Sequence, residues 1–234
     1  MIFVLVHGAW HGPSAWDRVV PLLHAAGAHT VTPDLGTHPD RGLHDDAATV
    51  IATLDNLTGD DEVVLVGHSY AGLVVREAAD ARPDRVRQVV LIDGWAGPDG
   101  ASLFDLAPDS FEEAVRAAAA RIGDGSPVPA PPPAAFGVVN PADAAWLTER
   151  LVAQPLRTFA ESTRLSPAVA DIPGVAICCT PPTYDFASFG QSAGYRTVPI
   201  EGAHNIMLTD PAQLTQSLLT TSGFLQEQEV PGLR

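Results

Sequence analysis

The chain contains no lysine, and all 13 of its basic residues are arginines. Schiff-base chemistry and a lysine-bound pyridoxal cofactor are therefore excluded. Positive charge is scarce altogether. A formal net charge of −15 at pH 7 repels a phosphate backbone at long range and argues against a nucleic-acid partner. Cysteine is limited to the neighbours Cys178 and Cys179, so no long-range disulfide can staple the fold. Neighbours on a strand point to opposite faces, and the pair reads as two small buried residues. With no further cysteine and no histidine pair at ligand spacing, no zinc cluster is expected. Long hydrophobic runs are missing too. The opening MIFVLVHGAWHG carries a short apolar run without a basic flank, which reads as a strand and neither a signal peptide nor a membrane span. No membrane partner is expected, and a cytoplasmic location is the default expectation.

What is present is a globular composition. A length of 234 residues, 46% hydrophobic and 18% charged, suits one domain with a sizeable core. Apolar runs alternate with helical patterns, the signature of a parallel sheet covered by helices. Strands are expected at residues 2–6, 29–33, 62–69, 88–92, 174–179 and 195–200, about six and mainly parallel. Ser14 and Asp17 resemble a capping box, and Trp16, Val19, Val20 and Leu23 carry a helix to Gly27. Further helices are expected at 44–57, at 70–81, and from Asp210 and Pro211, as N-cap and first-turn proline, to about Ser222. Between Ala96 and Leu165 the strand rhythm stops. Phe111, Val115, Ala118 and Ile122 share a helical face, residues 126–133 (SPVPAPPP) are extended, and 141–153 and 155–163 read as short helices. Because strands resume afterwards, residues 96–165 are expected to form a helical cap inserted into a single domain, 1–234.

Gly67-His68-Ser69-Tyr70-Ala71-Gly72 lies between a strong strand and a helix. That is the pattern of a nucleophile elbow, a turn too tight for large residues two positions either side of the nucleophile. It raises the Ser69 hydroxyl above the carboxyl edge of the sheet, at a helix N-terminus that favours developing negative charge. Serine needs a base. Of the eight histidines, His204 follows the last strand and precedes the last helix, in the loop layer facing Ser69. His24, His29, His38 and His44 are expected at the solvated surface, His68 packed beside the nucleophile, and His7 and His11 in structural hydrogen bonds. The amides of Tyr70 and of Ala9, in the loop after the first strand, are the expected oxyanion donors.

At these residues the chain resembles the plant methylesterase and hydroxynitrile lyase group and its bacterial relatives, members of the α/β-hydrolase superfamily. The likeness rests on VLVHGAWHG, PLLHAAG, TVTPDL, VLVGHSYAG, the QPLRTF stretch (154–159) and the final GAH. It implies the α/β-hydrolase fold, no cofactor, a small mostly apolar pocket under the cap, and often a homodimer. Cyanohydrin-cleaving members carry threonine where this chain has Gly8 and lysine where it has Asn205, so the esterase-like pattern is the better match. The resemblance also implies an acid in the loop after the fifth strand, where this chain reads Cys179-Thr180-Pro181-Pro182. Proline stands at the acid position. Asp93, ending the fourth strand, and Asp185, three residues beyond Pro182, are the two substitutes; a site without an acid is the third alternative.

The leading functional expectation is hydrolysis of a small carboxylic ester or acyl compound. A cyclase, dehydratase or lyase reaction needing only His204 as acid and base is the second, motivated by the missing acid. A binding protein that keeps the pocket is the third. A largely aromatic pocket lining is expected from Gly8, Trp10, Tyr70, Trp95 and Met207 near the site and from Phe136, Trp146 and Phe159 in the cap, which suits a hydrophobic or aromatic small-molecule substrate.

Overall fold

The apolar, β-branched runs form strands whose two faces are both covered. In the computed structural model, which describes residues 1–58, 62–122 and 127–225, the strands are β1 (Ile2–Val6), β2 (His29–Val31), β3 (Val63–His68), β4 (Val86–Ile92), β5 (Gly174–Thr180) and β6 (Arg196–Glu201). They make one parallel sheet in the order β2-β1-β3-β4-β5-β6. β1 and β3 are buried at every position, as strands inside a doubly covered parallel sheet must be.

Side-chain alternation sorts the core into two layers. Val4, Val6, Leu65, Leu91 and Cys178 pack on one face, against α2 (Leu43–Asn56) and α3 (Ala71–Ala81). Phe3, Leu5, Val66, Ile92 and Cys179 pack on the other, with α1 (Val20–Ala25) and, near the C-terminus, α10 (Pro211–Thr221). Both cysteines are therefore free and buried on opposite faces. Between β4 and β5 lie α4 (Leu103–Leu106), α5 (Asp109–Ala120), α6 (Pro141–Thr148) and α7 (Arg157–Ala160). Two short helices follow the last strands: α8 (Phe186–Ser192) after β5 and α9 (Ile206–Thr209) after β6. No helix among the described residues is long and apolar enough to cross a membrane.

Several local expectations need correction. The helix expected from Ser14 is broken into a 3₁₀ turn, Pro13–Trp16, and the short α1, and Ser14 caps nothing. Pro21 is the reason: it has no amide hydrogen and its ring clashes with the preceding turn, so the helix restarts with Pro21 in its first turn. The helix expected over 141–153 ends at Thr148, because Gln154 pairs with Val128 in an antiparallel bridge. Only Arg157–Ala160 of the expected 155–163 is helical. Ile122 is 55% exposed beyond the end of α5. Of the run expected to be extended over 126–133, Val128 bridges Gln154 and Pro132 has extended backbone angles, but Pro133 opens a 3₁₀ turn, Pro133–Phe136, and position 126 lies outside the described residues.

Candidate active site

Ser69 occupies the turn from β3 into α3 with φ 55°, the left-handed region that side-chain-bearing residues rarely adopt. Backbone bonds hold it there. Its amide donates to Ile92 O at 3.1 Å, and its carbonyl accepts from Gly72 N at 2.9 Å and Trp95 N at 3.1 Å. Sterics dictate the neighbours. A Cβ on Gly67 would lie 2.7 Å from Ala71 O, and one on Gly72 would lie 2.3 Å from Trp95 O. Among the described residues the other non-glycine positive φ values are Trp10 at 63° and Asp93 at 42°. All three strained residues belong to this one site.

His204 sits in the turn between β6 and α9. Its Nδ1 lies 3.0 Å from Asp93 Oδ2, and the Cys179 amide donates to the other carboxylate oxygen, Oδ1, at 2.7 Å. Asp93 is 1% exposed, so both of its oxygens are satisfied by fixed protein donors. The Phe186 ring stacks on the imidazole at a centroid distance of 5.5 Å and 13°, and His68 Nε2 donates to the His204 carbonyl at 2.9 Å. Asp185 is placed elsewhere: its carboxylate accepts from Ser188 N at 3.1 Å and caps α8, and it makes no hydrogen bond to His204. Neither the Ser69 hydroxyl nor His204 Nε2 has a protein partner among the described residues; both line one cavity.

The same cavity receives the loop after β1. The amides of Ala9 and Tyr70 donate to no protein acceptor among the described residues, and both residues line the cavity. The Gly8 carbonyl accepts from His7 Nδ1 at 3.0 Å and from His11 N at 3.3 Å, which polarises the peptide whose N–H belongs to Ala9. His11 Nδ1 donates to Ala9 O at 2.7 Å, and its Nε2 accepts from Asn205 Nδ2 at 2.9 Å. The Trp10 amide donates to Gln154 Oε1 at 2.9 Å. Burial lowers the pKa of His7, pushes His11 down to about 4 and holds His68 well below the ordinary range, so these rings are neutral structural partners. On the outer side of the elbow, the Tyr70 hydroxyl donates to Asp46 at 2.8 Å. Burial raises the Asp46 carboxyl to about 7, against the opposing pull of Tyr70 and Arg41.

The cavity measures about 410 Å³, and Trp10, Tyr70, Trp95, Phe136 and Phe159 line it. Three of the expected lining residues do not. Gly8 lies under the elbow, where a Cβ would meet His68 Nδ1 at 2.8 Å and Ser69 Cβ at 3.1 Å. Met207 is turned into the core layer shared with α1 and α10. Trp146 lies on α6 between Arg18 and Arg150, whose guanidinium carbons sit 5.7 and 4.2 Å from its ring. No motif signal marks Gln154, Phe186 or Tyr184, and Gln154 lies within QPLRTF without a chemical cue; Asn205 is marked only as the position where cyanohydrin-cleaving relatives carry lysine, and its bond to His11 has no local signal. No group of three or more His, Cys, Asp or Glu side chains among the described residues is placed to hold a metal ion.

A strand–turn–helix serine, a buried Asp–His pair and two free amides around one apolar cavity on a parallel sheet define a candidate hydrolase site. The sequence matches the alpha/beta hydrolase family over residues 3–216, and the chain belongs to that family. It is 28% identical to a carbendazim hydrolyzing esterase of Nocardioides sp. (strain SG-4G), over 92% of this chain and 97% of that protein. It is 37% identical to methylesterase 2 of Arabidopsis thaliana over a stretch covering 40% of this chain and 39% of the plant protein. In solved structures, an extracellular alpha/beta-hydrolase from a Paenibacillus species superposes with a TM-score of 0.83 at 20% identity, covering 94% of this chain and 98% of that one. At that identity the likeness speaks to the fold alone.

Proposed function

We propose that the protein hydrolyses a small hydrophobic or aromatic carboxylic ester through an acyl-enzyme on Ser69. The observation that carries this reading is the Asp93–His204 hydrogen bond of 3.0 Å at the wall of the cavity shared with Ser69. A carboxylate on Nδ1 holds the imidazole in the tautomer whose Nε2 is free to accept a proton and stabilises the imidazolium that forms. Ser69 Oγ gives its proton to Nε2 as it attacks the ester carbonyl. The Ala9 and Tyr70 amides receive the oxyanion, and His204 protonates the departing alcohol. His204 then takes a proton from water, which attacks the acyl carbon and frees the acid. Contacts between nucleophile and base are commonly open before substrate binds and tighten in its complex. Residues 96–165 serve as the cap over this cavity, within one folding unit. The Asp93 contact supports hydrolysis over a non-hydrolytic reaction on the same scaffold, whose motive was the lack of an orienting carboxylate at Pro182. The test is hydrolysis of 4-nitrophenyl acetate by the wild type and by Ser69→Ala. The variant should lose nearly all turnover, and equal rates would remove the serine mechanism.

A further inference from the structure

Among the described residues the cavity lining contains one permanently charged side chain, Arg121, and no carboxylate. Phe111, Ala114, Val115, Ala118 and Arg121 line the cavity at helical spacing, so one face of α5 leads along the apolar wall to the guanidinium at the end of the helix. Arg121 is the C-cap residue of α5 and is exposed, which puts it at the mouth, while His204 is nine-tenths buried at the inner wall. Other arginines of this segment are committed. Arg116 pairs with Glu112 at 2.7 Å and Arg157 with Glu161 at 2.7 Å. Arg121 makes no ion pair among the described residues. In a chain of net charge −15, a guanidinium with no ion-pair partner among the described residues, set over an apolar cavity, is a local anion site, because its planar fork matches a carboxylate.

Resting on the ester-hydrolase reading above, we propose that the substrate is an ester with an apolar body and an anionic far end. Its ester group lies at Ser69, its body along the α5 face and Phe159, and its terminal carboxylate at Arg121. Half-esters of apolar dicarboxylic acids have this chemistry. Arg121 is then a specificity-determining residue that discriminates substrates by the charge of their distal end.

The test compares two substrates of equal length, the 4-nitrophenyl half-ester of suberic acid and its counterpart ending in a neutral carboxamide. The readout is the ratio of their kcat/KM values, which cancels any general effect on the active site. An ion pair at an exposed rim changes affinity by about fivefold. The ratio should therefore fall by about fivefold in Arg121→Gln and further in Arg121→Glu, and the wild-type ratio should shrink with added salt. A ratio unchanged in both variants overturns the proposal. A second measurement works without turnover: calorimetric binding of suberic acid monoanilide to Ser69→Ala and to Ser69→Ala combined with Arg121→Gln. About fivefold weaker binding in the double variant is expected, and equal affinities would overturn the assignment. If Ser69→Ala cleaves the esters as fast as the wild type, the hydrolytic mechanism fails, while the binding comparison still decides the role of Arg121.

Discussion

Asp93→Asn is a nearly isosteric change whose effect follows from the two bonds the carboxylate makes. Oδ1 accepts the Cys179 amide at 2.7 Å and Oδ2 faces His204 Nδ1 at 3.0 Å, so an asparagine can satisfy only one of them. With its oxygen toward Cys179, the amide NH₂ donates to Nδ1 and forces the proton onto Nε2, where it blocks proton transfer from Ser69. With its oxygen toward His204, the NH₂ opposes the buried Cys179 N–H, leaving two unsatisfied donors at a cost of about 1–3 kcal/mol each. The shorter backbone bond favours the first arrangement. A wrong tautomer lowers kcat by about 10⁴ in a serine hydrolase, and a loss of about 10³ to 10⁴ is expected here with KM little changed. Steady-state hydrolysis of 4-nitrophenyl acetate measures it. Asp185→Asn should keep kcat within about twofold and lose at most about 1 kcal/mol of stability, because asparagine caps a helix as well as aspartate and only the charge at the helix N-terminus is removed. An Asp93→Asn enzyme within tenfold of wild type, or an Asp185→Asn enzyme equally impaired, would refute the assignment.

Gly8→Thr places a side chain 2.8 Å from His68 Nδ1 and 3.1 Å from Ser69 Cβ, so the enzyme should lose at least about tenfold in kcat and melt at lower temperature; a neutral outcome in both assays contradicts the close approach. Gln154→Ala leaves the buried Trp10 amide without its acceptor, and a loss of about 1–3 kcal/mol in urea unfolding is expected. The Asp46 carboxyl, raised to about 7 when folded, contributes stability that is complete below the unfolded value and lost as pH rises through about 7. Asp46→Asn should therefore gain on the wild type by about 3 kcal/mol between pH 5 and pH 8, and parallel stability curves would count against it. His11 has the opposite sign. Its pKa, depressed to about 4, contributes stability present above the ordinary histidine value and lost as pH falls toward about 4, so His11→Gln should lose less stability than the wild type between pH 7 and pH 4.5.

The continuous β-branched runs and the GHSYAG turn announce themselves because a doubly covered strand and a tight elbow each restrict residue type locally. The group facing His204 was legible only as three alternatives, Asp93, Asp185 or no acid at all. Deciding it requires strand order: β4 lies beside β5, with Ile92 opposite Ile177, and that adjacency carries Asp93 to the Cys179 amide and the His204 ring. Periodicity does not reveal such non-local neighbours. The pocket was legible in part for the same reason. Phe136 and Phe159 line the cavity whereas Trp146 and Met207 do not, because the rotation of a short helix on its neighbours is set by packing absent from its own sequence. Helix α8, FASFGQS, was missed since glycine and serine dilute its apolar period. Gln154 and Asn205 hold Trp10 and His11 through single hydrogen bonds, and nothing in their local sequence marks those bonds.

The central claim is that Ser69, served by His204 and oriented through Asp93, carries the acyl group. Rapid-quench mass spectrometry during turnover of 4-nitrophenyl acetate tests it directly. One acetyl group should appear on the peptide bearing Ser69, accumulate within the first turnover, and be missing from the Ser69→Ala and His204→Ala enzymes. Sustained hydrolysis by the wild type with no acetyl group on that peptide, or with the group on another residue, would contradict the account.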